Sequence, residues 1–194
     1  AKDSEMWCTQ FDNSVVEDAG LLKMDFLGLR TLTIIKEACR LVKQRHGVVL
    51  DPDSFPLDDV KTYELFQRGE TVGIFQYESA GMQKYLKELK PTEFADLIAM
   101  NALYRPGPMK NIDDFISRKQ GHQNIVYPHP LMEPILKETY GIIVYQEQVM
   151  KIALEIAGFT LAEADIMRRA MVKKIKSLMA ELSIKFVEGA EKKD

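Results

Sequence analysis

The chain has 194 residues, of which 46% are hydrophobic and 28% charged, a composition typical of a globular protein with one sizeable core or two small ones. The net charge of −3 gives no overall attraction to nucleic acid, so a site for a polyanion has to come from local clusters of cations. Two cysteines exclude a disulfide framework, and no apolar run approaches the roughly 18 to 20 residues that span a bilayer. We therefore expect a cytoplasmic protein without a membrane segment.

The charged, helical pattern of residues 186–194 leads us to expect a fragment of a longer protein.

An apolar segment with two charges, residues 21–30, follows the polar start of the chain. If it is an extended strand, Lys23 and Asp25 share one face and the apolar residues that alternate with them occupy the other. A rigid carboxylate suits Mg²⁺, which often binds one or two carboxylates together with substrate phosphates, and a neighbouring lysine suits the phosphate. The alternative is a solvated ion pair worth at most about 1 kcal/mol, and spacing alone favours that alternative.

The next part of the chain is predicted to form four helices and one strand. Apolar spacing and end signals predict helices from about Leu32 to Gly47, from Asp58 or Asp59 to Gly69, from Ser79 to Leu89 and from Pro91 to Tyr104. The segment Thr71–Gln76 is short, β-rich and bounded by turn residues, which predicts a strand.

Two features at the ends of these helices are candidate anion sites. The helix start at Ser79 and Gly81 exposes backbone N–H groups and the positive end of the helix dipole, although every helix has such an end. Arg105 stands at a Pro-Gly-Pro corner, where it could fork onto a phosphate or a carboxylate, or tie the corner to a neighbouring acidic group. The sequence leaves both interpretations of Arg105 open.

The segments that follow complete the predicted fold. Residues 109–130 are polar and predict a loop, with loop histidines rather than metal ligands. A helix over residues 131–139, a buried strand at Gly141–Tyr145 and a helix from Gln146 to Gly158 come next. Together these elements predict a mainly α fold with a few short β-strands, which is an α+β protein.

The last predicted helix carries a cluster of cations. It starts at a capping box of Thr160 and Glu163, and its apolar residues have the spacing of a buried stripe: Met167, Met171, Ile175 and Leu178. Five cations and no acid lie between residues 168 and 176, namely Arg168, Arg169, Lys173, Lys174 and Lys176. Like charges one turn apart destabilise a helix by roughly a few tenths of a kcal/mol, which is easier to understand if a triphosphate or a DNA backbone lies opposite. A solvated face is the alternative, and the sequence alone favours it.

Five blocks of this sequence resemble the bacterial replicative DNA polymerases of family C, the DNA polymerase III alpha subunits. They occur in the right order and cover most of the chain, so the resemblance is far more specific than a single short motif. The blocks are residues 20–35 (GLLKMDFLGLRTLTII), 73–82 (GIFQYESAGM), 101–108 (NALYRPGP), 140–150 (YGIIVYQEQVM) and 167–174 (MRRAMVKK).

The resemblance implies an architecture and a reaction. Residues 1–30 would be the C-terminal part of the polymerase palm, and residues 31–194 would be the helical fingers, incomplete at the C-terminus. The fingers would hold the incoming deoxynucleoside triphosphate over the templating base. The primer 3′-hydroxyl would then attack the α-phosphate in line, helped by two Mg²⁺ ions.

The resemblance also implies roles for particular residues. Asp25 would be a catalytic, metal-binding carboxylate, and Lys23 would contact a nucleotide phosphate. Arg168 and Arg169 would hold the β- and γ-phosphates. Further nucleotide contacts would come from Lys173 and Lys174, and possible phosphate or DNA contacts from Ser79, Gly81 and Arg105.

Two departures from the family pattern limit these implications. Val172 stands where the family usually has glycine, and a β-branched residue favours a stiffer, continued helix, so the direction of Lys173 and Lys174 stays open. The family's other two catalytic aspartates belong to an upstream segment, and no Pro-Asp-x-Asp-x-Asp motif precedes Gly20. We therefore predict that this chain alone has no polymerase activity.

The partners implied are deoxynucleoside triphosphates, primer–template DNA and other replisome subunits. The sliding clamp would be met through regions outside these residues, and no membrane is implied. The competing hypothesis is a helical module without chemistry, whose basic face binds nucleic acid or an acidic protein.

Overall fold

The computed structural model describes residues 5–193, and the chain divides into two units, Ala1–Phe55 and Pro56–Asp194. Unit 1 contains α1, Arg30–His46, and a 3₁₀-helix, Pro52–Ser54. The helices of unit 2 are α2 (Val60–Gln67), α3 (Ala80–Leu89), α4 (Phe94–Leu103), α5 (Ile112–Lys119), α6 (Glu133–Leu136), α7 (Gln146–Ala157), α8 (Leu161–Lys173) and α9 (Lys176–Glu191). Short 3₁₀-helices lie at Pro108–Asn111, Pro130–Met132 and Lys137–Thr139. No helix in the described part of the chain is long and apolar enough to cross a membrane.

The predicted α+β class is wrong, because residues 5–193 contain no β-strand. A strand needs a partner for its backbone groups, and in unit 2 local contacts satisfy those groups instead. The amide of Ile74 donates to the carbonyl of Thr71 at 3.1 Å, which makes a turn of the predicted strand 71–76. In Gly141–Tyr145 the amides of Val144 and Tyr145 donate to a side chain, the Oε1 atom of Gln148, at 2.8 and 3.0 Å.

Unit 1 confirms one predicted helix but shows no buried core. Helix α1 ends as expected at Gly47, whose φ of 69° lies in the left-handed region that glycine adopts readily. None of the 17 residues of α1 is buried, and Leu32 exposes 63% of its surface. The predicted terminal palm strand, residues 21–29, has no regular secondary structure and is exposed throughout.

The first core of unit 2 is built by α2, α3, α4 and α5. Its fully buried members include Met82, Leu86, Leu89, Met100, Leu103, Ile112 and Phe115. The predicted loop at 109–130 therefore contains a helix, α5, because burial of Ile112 and Phe115 contributes roughly 1.5 to 3 kcal/mol per side chain. A buried ion pair joins α5 to α4: the ammonium of Lys119 lies 2.9 Å from Oδ2 of Asp96, which also accepts the amide N–H of Thr92 at 2.9 Å.

The second core of unit 2 is a packing of α7, α8 and α9. Small residues dominate its buried positions, with Ala153, Ala157, Ala164 and Ala170 among them. Gly189 of α9 lies so close to Ala157 of α7 that a Cβ atom would approach the Ala157 carbonyl oxygen within 3.0 Å. Small side chains let these helices approach closely, and each of α7, α8 and α9 packs against the other two.

The predicted single helix over residues 160–178 is broken at Lys174. This residue adopts φ 53° and ψ 41°, and the amide of Ile175 donates back to the carbonyl of Ala170 at 3.0 Å. The pattern is a left-handed helix end, here formed by a residue other than glycine. As a result Met171 and Ile175 are 45% and 40% exposed, and the predicted buried stripe is wrong at these two positions.

Candidate functional site

Lys23 and Asp25 lie in unit 1, within the exposed segment before α1. No group of three or more histidine, cysteine, aspartate or glutamate side chains within residues 5–193 has the arrangement of a metal site. Asp25 is therefore a single accessible carboxylate. One carboxylate fits a contribution to a Mg²⁺ site, since Mg²⁺ keeps water and substrate oxygens as its other ligands, but it does not make a two-metal site.

The two arginines of the basic helix lie in unit 2 and are brought together by Asp165. Nε and Nη2 of Arg168 donate to Oδ1 of Asp165 at 2.9 and 2.7 Å. Nε of Arg169 lies 3.0 Å from the other oxygen, Oδ2. The hydrogen bonds from Arg168 hold the pKa of Asp165 below its usual value, so the carboxylate stays charged at neutral pH.

A third contact fixes Arg168 from a neighbouring helix. Its Nη1 atom donates to Oε1 of Gln146, the first residue of α7, at 3.1 Å. The start of α7 is itself set by the buried Gln148, whose Nε2 atom donates to Oγ1 of Thr139 at 2.9 Å while its Oε1 accepts two amides. Arg168 is thus bound by Asp165 of α8 and by Gln146 of α7, whereas the side chain of Arg169 is 59% exposed.

Two shallow cavities flank α8 at these arginines. One, of about 240 Å³, is lined by Ile166, Arg169, Ala170, Lys173, Ile175 and Leu178. The other, of about 200 Å³, is lined by Gln146, Val149, Arg168, Met171 and Val172. Lys173 ends α8 and Lys174 follows in the left-handed conformation, and both are exposed. The helix end thus places three cations, Arg169, Lys173 and Lys174, where solvent or a ligand can reach them.

The predicted anion contacts at Ser79, Gly81 and Arg105 form a second group in unit 2. Oγ of Ser79 accepts the amide N–H of Met82 at 3.3 Å and so caps α3, as predicted. Gly81 lies against the hydroxyl of Tyr104 at the end of α4, and the exposed Arg105 follows Tyr104 directly. The packing of Tyr104 on Gly81 therefore brings the start of α3 next to the Arg105 corner.

Several residues of this geometry were missed by sequence reasoning. Asp165 stands three and four residues before the arginines, which is the spacing of an ion pair along a helix, so it could have been found. Gln146 and Gln148 lie within the block at 140–150, but no local pattern indicates that they contact Arg168 and the buried Thr139. The bond between Asn101 and Gln76, 2.5 Å long, also links distant segments.

Comparison with known proteins assigns the chain to a family. The model of the bacterial DNA polymerase III alpha subunit finger domain matches residues 31–194. The chain belongs to that finger-domain family. Its relatives include the DNA polymerase III subunit alpha of Aquifex aeolicus, 53% identical over 191 residues, and that of Bacillus subtilis, 50% identical over 189 residues.

These relatives are much longer than this chain. The Aquifex aeolicus match covers 97% of this chain and 16% of the relative, and the Bacillus subtilis match covers 97% and 17%. The DNA polymerase III subunit alpha of Thermus aquaticus, 53% identical over 190 residues, is matched over 95% of this chain and 16% of its own length. The chain thus spans about one sixth of the length of the curated relatives it matches, and the predicted resemblance to DNA polymerase III alpha subunits is confirmed.

Proposed function

We propose that the chain is the nucleotide-binding part of a bacterial replicative DNA polymerase and that Arg168 and Arg169 bind the β- and γ-phosphates of the incoming deoxynucleoside triphosphate. The observation that carries the proposal is the pairing of both guanidinium groups with Asp165 on one helix. Arginine forks suit phosphate oxygens, and two arginines with one carboxylate keep a net positive charge for a polyanion. Lys173 and Lys174 lie at the same helix end and extend this cationic surface.

The remaining predicted residues have supporting roles in the same proposal. Lys23 contacts a phosphate and Asp25 contributes one carboxylate to the Mg²⁺ ions, which when bound stabilise the attacking and leaving oxygens of phosphoryl transfer. Ser79, Gly81 and Arg105 contact the phosphates of DNA. Residues 1–30 belong to the palm, and the boundary with the fingers at residue 31 is part of the proposal.

The isolated chain is proposed to be inactive. It supplies one metal-binding carboxylate, and the Pro-Asp-x-Asp-x-Asp motif that would hold the two further aspartates implied by the resemblance does not precede Gly20. Primer extension by the purified 194-residue chain, measured with a labelled primer–template and Mg²⁺, should give no product. Extension of the primer would contradict this part of the proposal.

The test of the nucleotide site uses the double variant Arg168→Ala/Arg169→Ala in the full-length polymerase. Loss of charged hydrogen bonds worth roughly 1.5 to 3 kcal/mol should raise KM for the deoxynucleoside triphosphate by about 10- to 100-fold. The dissociation constant of primer–template DNA should stay within about twofold of its original value. Arg68→Ala is the matched control, because Arg68 is an exposed arginine of unit 2 paired with an acid, Glu70, at 2.9 Å.

The competing hypothesis predicts the opposite result. If the basic face binds nucleic acid or an acidic protein without chemistry, the double variant should weaken DNA or partner binding and leave KM for the nucleotide unchanged. That result, with Arg68→Ala behaving like the original protein, would overturn the nucleotide site.

A further inference from the structure

We infer that Asp165 is a positioning residue that holds the guanidinium groups of Arg168 and Arg169 in place for phosphate binding. The inference rests on the proposed nucleotide site and goes beyond it, because it assigns to a carboxylate a function in binding an anion. The basis of the inference is that Oδ1 of Asp165 contacts Arg168, while Oδ2 of the same carboxylate contacts Arg169.

The hydrogen bonds of Arg168 leave its phosphate-binding capacity intact. A guanidinium has five N–H groups. Three of them are used: Nε–H and one N–H of Nη2 point to Oδ1 of Asp165, and one N–H of Nη1 points to Oε1 of Gln146. One N–H group therefore remains on each terminal nitrogen, which is the number needed to bind two oxygens of a phosphate group.

Arg169 is held in a complementary way. Its Nε atom lies 3.0 Å from Oδ2 of Asp165, and its side chain is 59% exposed, so a ligand can reach it. Oδ1 of Asp165 accepts hydrogen bonds from Arg168, and Oδ2 contacts Arg169. The side chain of Asp165 therefore fixes the two guanidinium groups relative to each other. Asp165 lies one turn earlier on the same helix, so the positions of all three residues are set by the backbone of α8.

Two physical effects of Asp165 on an approaching triphosphate oppose each other. Its negative charge repels the phosphates, which weakens binding. Its hydrogen bonds order two long side chains before the nucleotide arrives, which removes the entropic cost of ordering them on binding. The ordering effect should dominate, because the carboxylate is already paired with both cations and the three side chains together keep a positive charge.

The experiment uses Asp165→Ala and Asp165→Asn in the full-length polymerase, with steady-state KM and kcat for the deoxynucleoside triphosphate and the dissociation constant of primer–template DNA. Loss of order in two arginines should raise KM by about 5- to 30-fold in Asp165→Ala. The asparagine keeps one oxygen acceptor and the same shape, so its KM should rise less. The value of kcat and the DNA affinity should stay within about twofold of the original values.

A control and a double-variant measurement separate positioning from general damage to the fold. Glu37→Gln is the matched control, since Glu37 pairs with Arg40 at the same three-residue spacing on α1, and it should leave KM unchanged. In the Arg168→Ala/Arg169→Ala background, Asp165→Ala should cause no further rise in KM, because the arginines through which it acts are gone.

The possible results have distinct meanings. If KM is unchanged or lower in both Asp165 variants while Arg168→Ala/Arg169→Ala raises it, the positioning function is overturned and the nucleotide site stands. If Arg168→Ala/Arg169→Ala leaves KM unchanged, the proposed function fails and this inference fails with it. A loss of DNA affinity and kcat in Asp165→Asn that equals the change in KM would also overturn positioning, since it would indicate a structural role.

Discussion

The close packing of α7 and α9 predicts that Gly189, a glycine within α9, does not tolerate a larger side chain. In Gly189→Ala the new Cβ atom would approach the Ala157 carbonyl oxygen within 3.0 Å, and the carbonyl carbon and Cα of the same residue would lie at 3.0 and 3.3 Å. These are backbone atoms, so no side-chain rotation can relieve the contact and α9 has to move away from α7. Overpacking of this kind costs about 1 to 3 kcal/mol, or more where the backbone has to shift.

Gly81→Ala is the matched comparison, because Gly81 is also helical and also touches a neighbour. Its new Cβ atom would meet the hydroxyl of Tyr104, with the next ring carbon at 3.3 Å. This contact is the far end of a side chain that can rotate. Alanine also favours a helix over glycine by up to about 1 kcal/mol at either position. Gly81→Ala should therefore stay within about 1 kcal/mol of the original protein, whereas Gly189→Ala should be destabilised by at least about 1 kcal/mol.

The assay is urea denaturation of the 194-residue chain, followed by circular dichroism. The free energy of unfolding in water is compared for the original protein and the two variants. Equal or higher stability of Gly189→Ala would refute the close approach of α9 to Ala157. Destabilisation of Gly81→Ala as large as that of Gly189→Ala would refute the distinction between a backbone neighbour and a mobile phenol.

Three further predictions concern stability and its dependence on pH. Lys174→Gly should raise the free energy of unfolding by about 1 kcal/mol in urea denaturation, because glycine adopts the left-handed helix end without strain; a lower value would contradict it. Asp96→Ala should cost about 3 to 5 kcal/mol by the same assay, since it leaves the ammonium of Lys119 buried without its partner; a loss below about 1 kcal/mol would refute this. The hydrogen bond from Lys185 lowers the pKa of Glu163 from 4.5 to about 2, so the stability difference between the original protein and Glu163→Gln should be constant above about pH 5.5 and shrink as the pH falls from 4.5 towards 2. A difference that grows on acidification would contradict that pairing.

The starts of α2, α3 and α8 were predictable from the sequence because capping is local. Asp59 accepts the amide of Thr62 at 2.7 Å, Ser79 caps α3, and Thr160 exchanges bonds with Glu163 in a capping box. Each contact spans three residues, so a short window of sequence contains all of its partners.

The lack of strands in residues 5–193 and the break at Lys174 could not be predicted in this way. The β-rich segment Gly141–Tyr145 has its amides bound by Gln148, whose own orientation depends on Thr139, so a buried network rather than local preference decides its conformation. The helix end at Lys174 has no glycine to indicate it. Helix α5 was missed for a related reason, because only two of its apolar residues, Ile112 and Phe115, are fully buried.

The candidate site was predictable in part. The basic cluster and its resemblance to a family identified Arg168 and Arg169, and Asp165 could have been added from its spacing. The contact of Arg168 with Gln146 joins residues 22 positions apart and follows only from the packing of α7 on α8. The sequence was thus enough to identify the charged residues of the site, but the contacts that hold them in position follow only from the tertiary structure.

The most direct test of the nucleotide site compares ligands that differ only in their phosphates. A non-hydrolysable deoxynucleoside triphosphate and the corresponding diphosphate and monophosphate are measured as inhibitors of the full-length polymerase, with and without Arg168→Ala/Arg169→Ala. If these arginines hold the β- and γ-phosphates, the double variant should weaken triphosphate binding by about 10- to 100-fold and leave monophosphate binding within about twofold. Equal weakening of all three ligands, or no weakening of the triphosphate, would contradict the account.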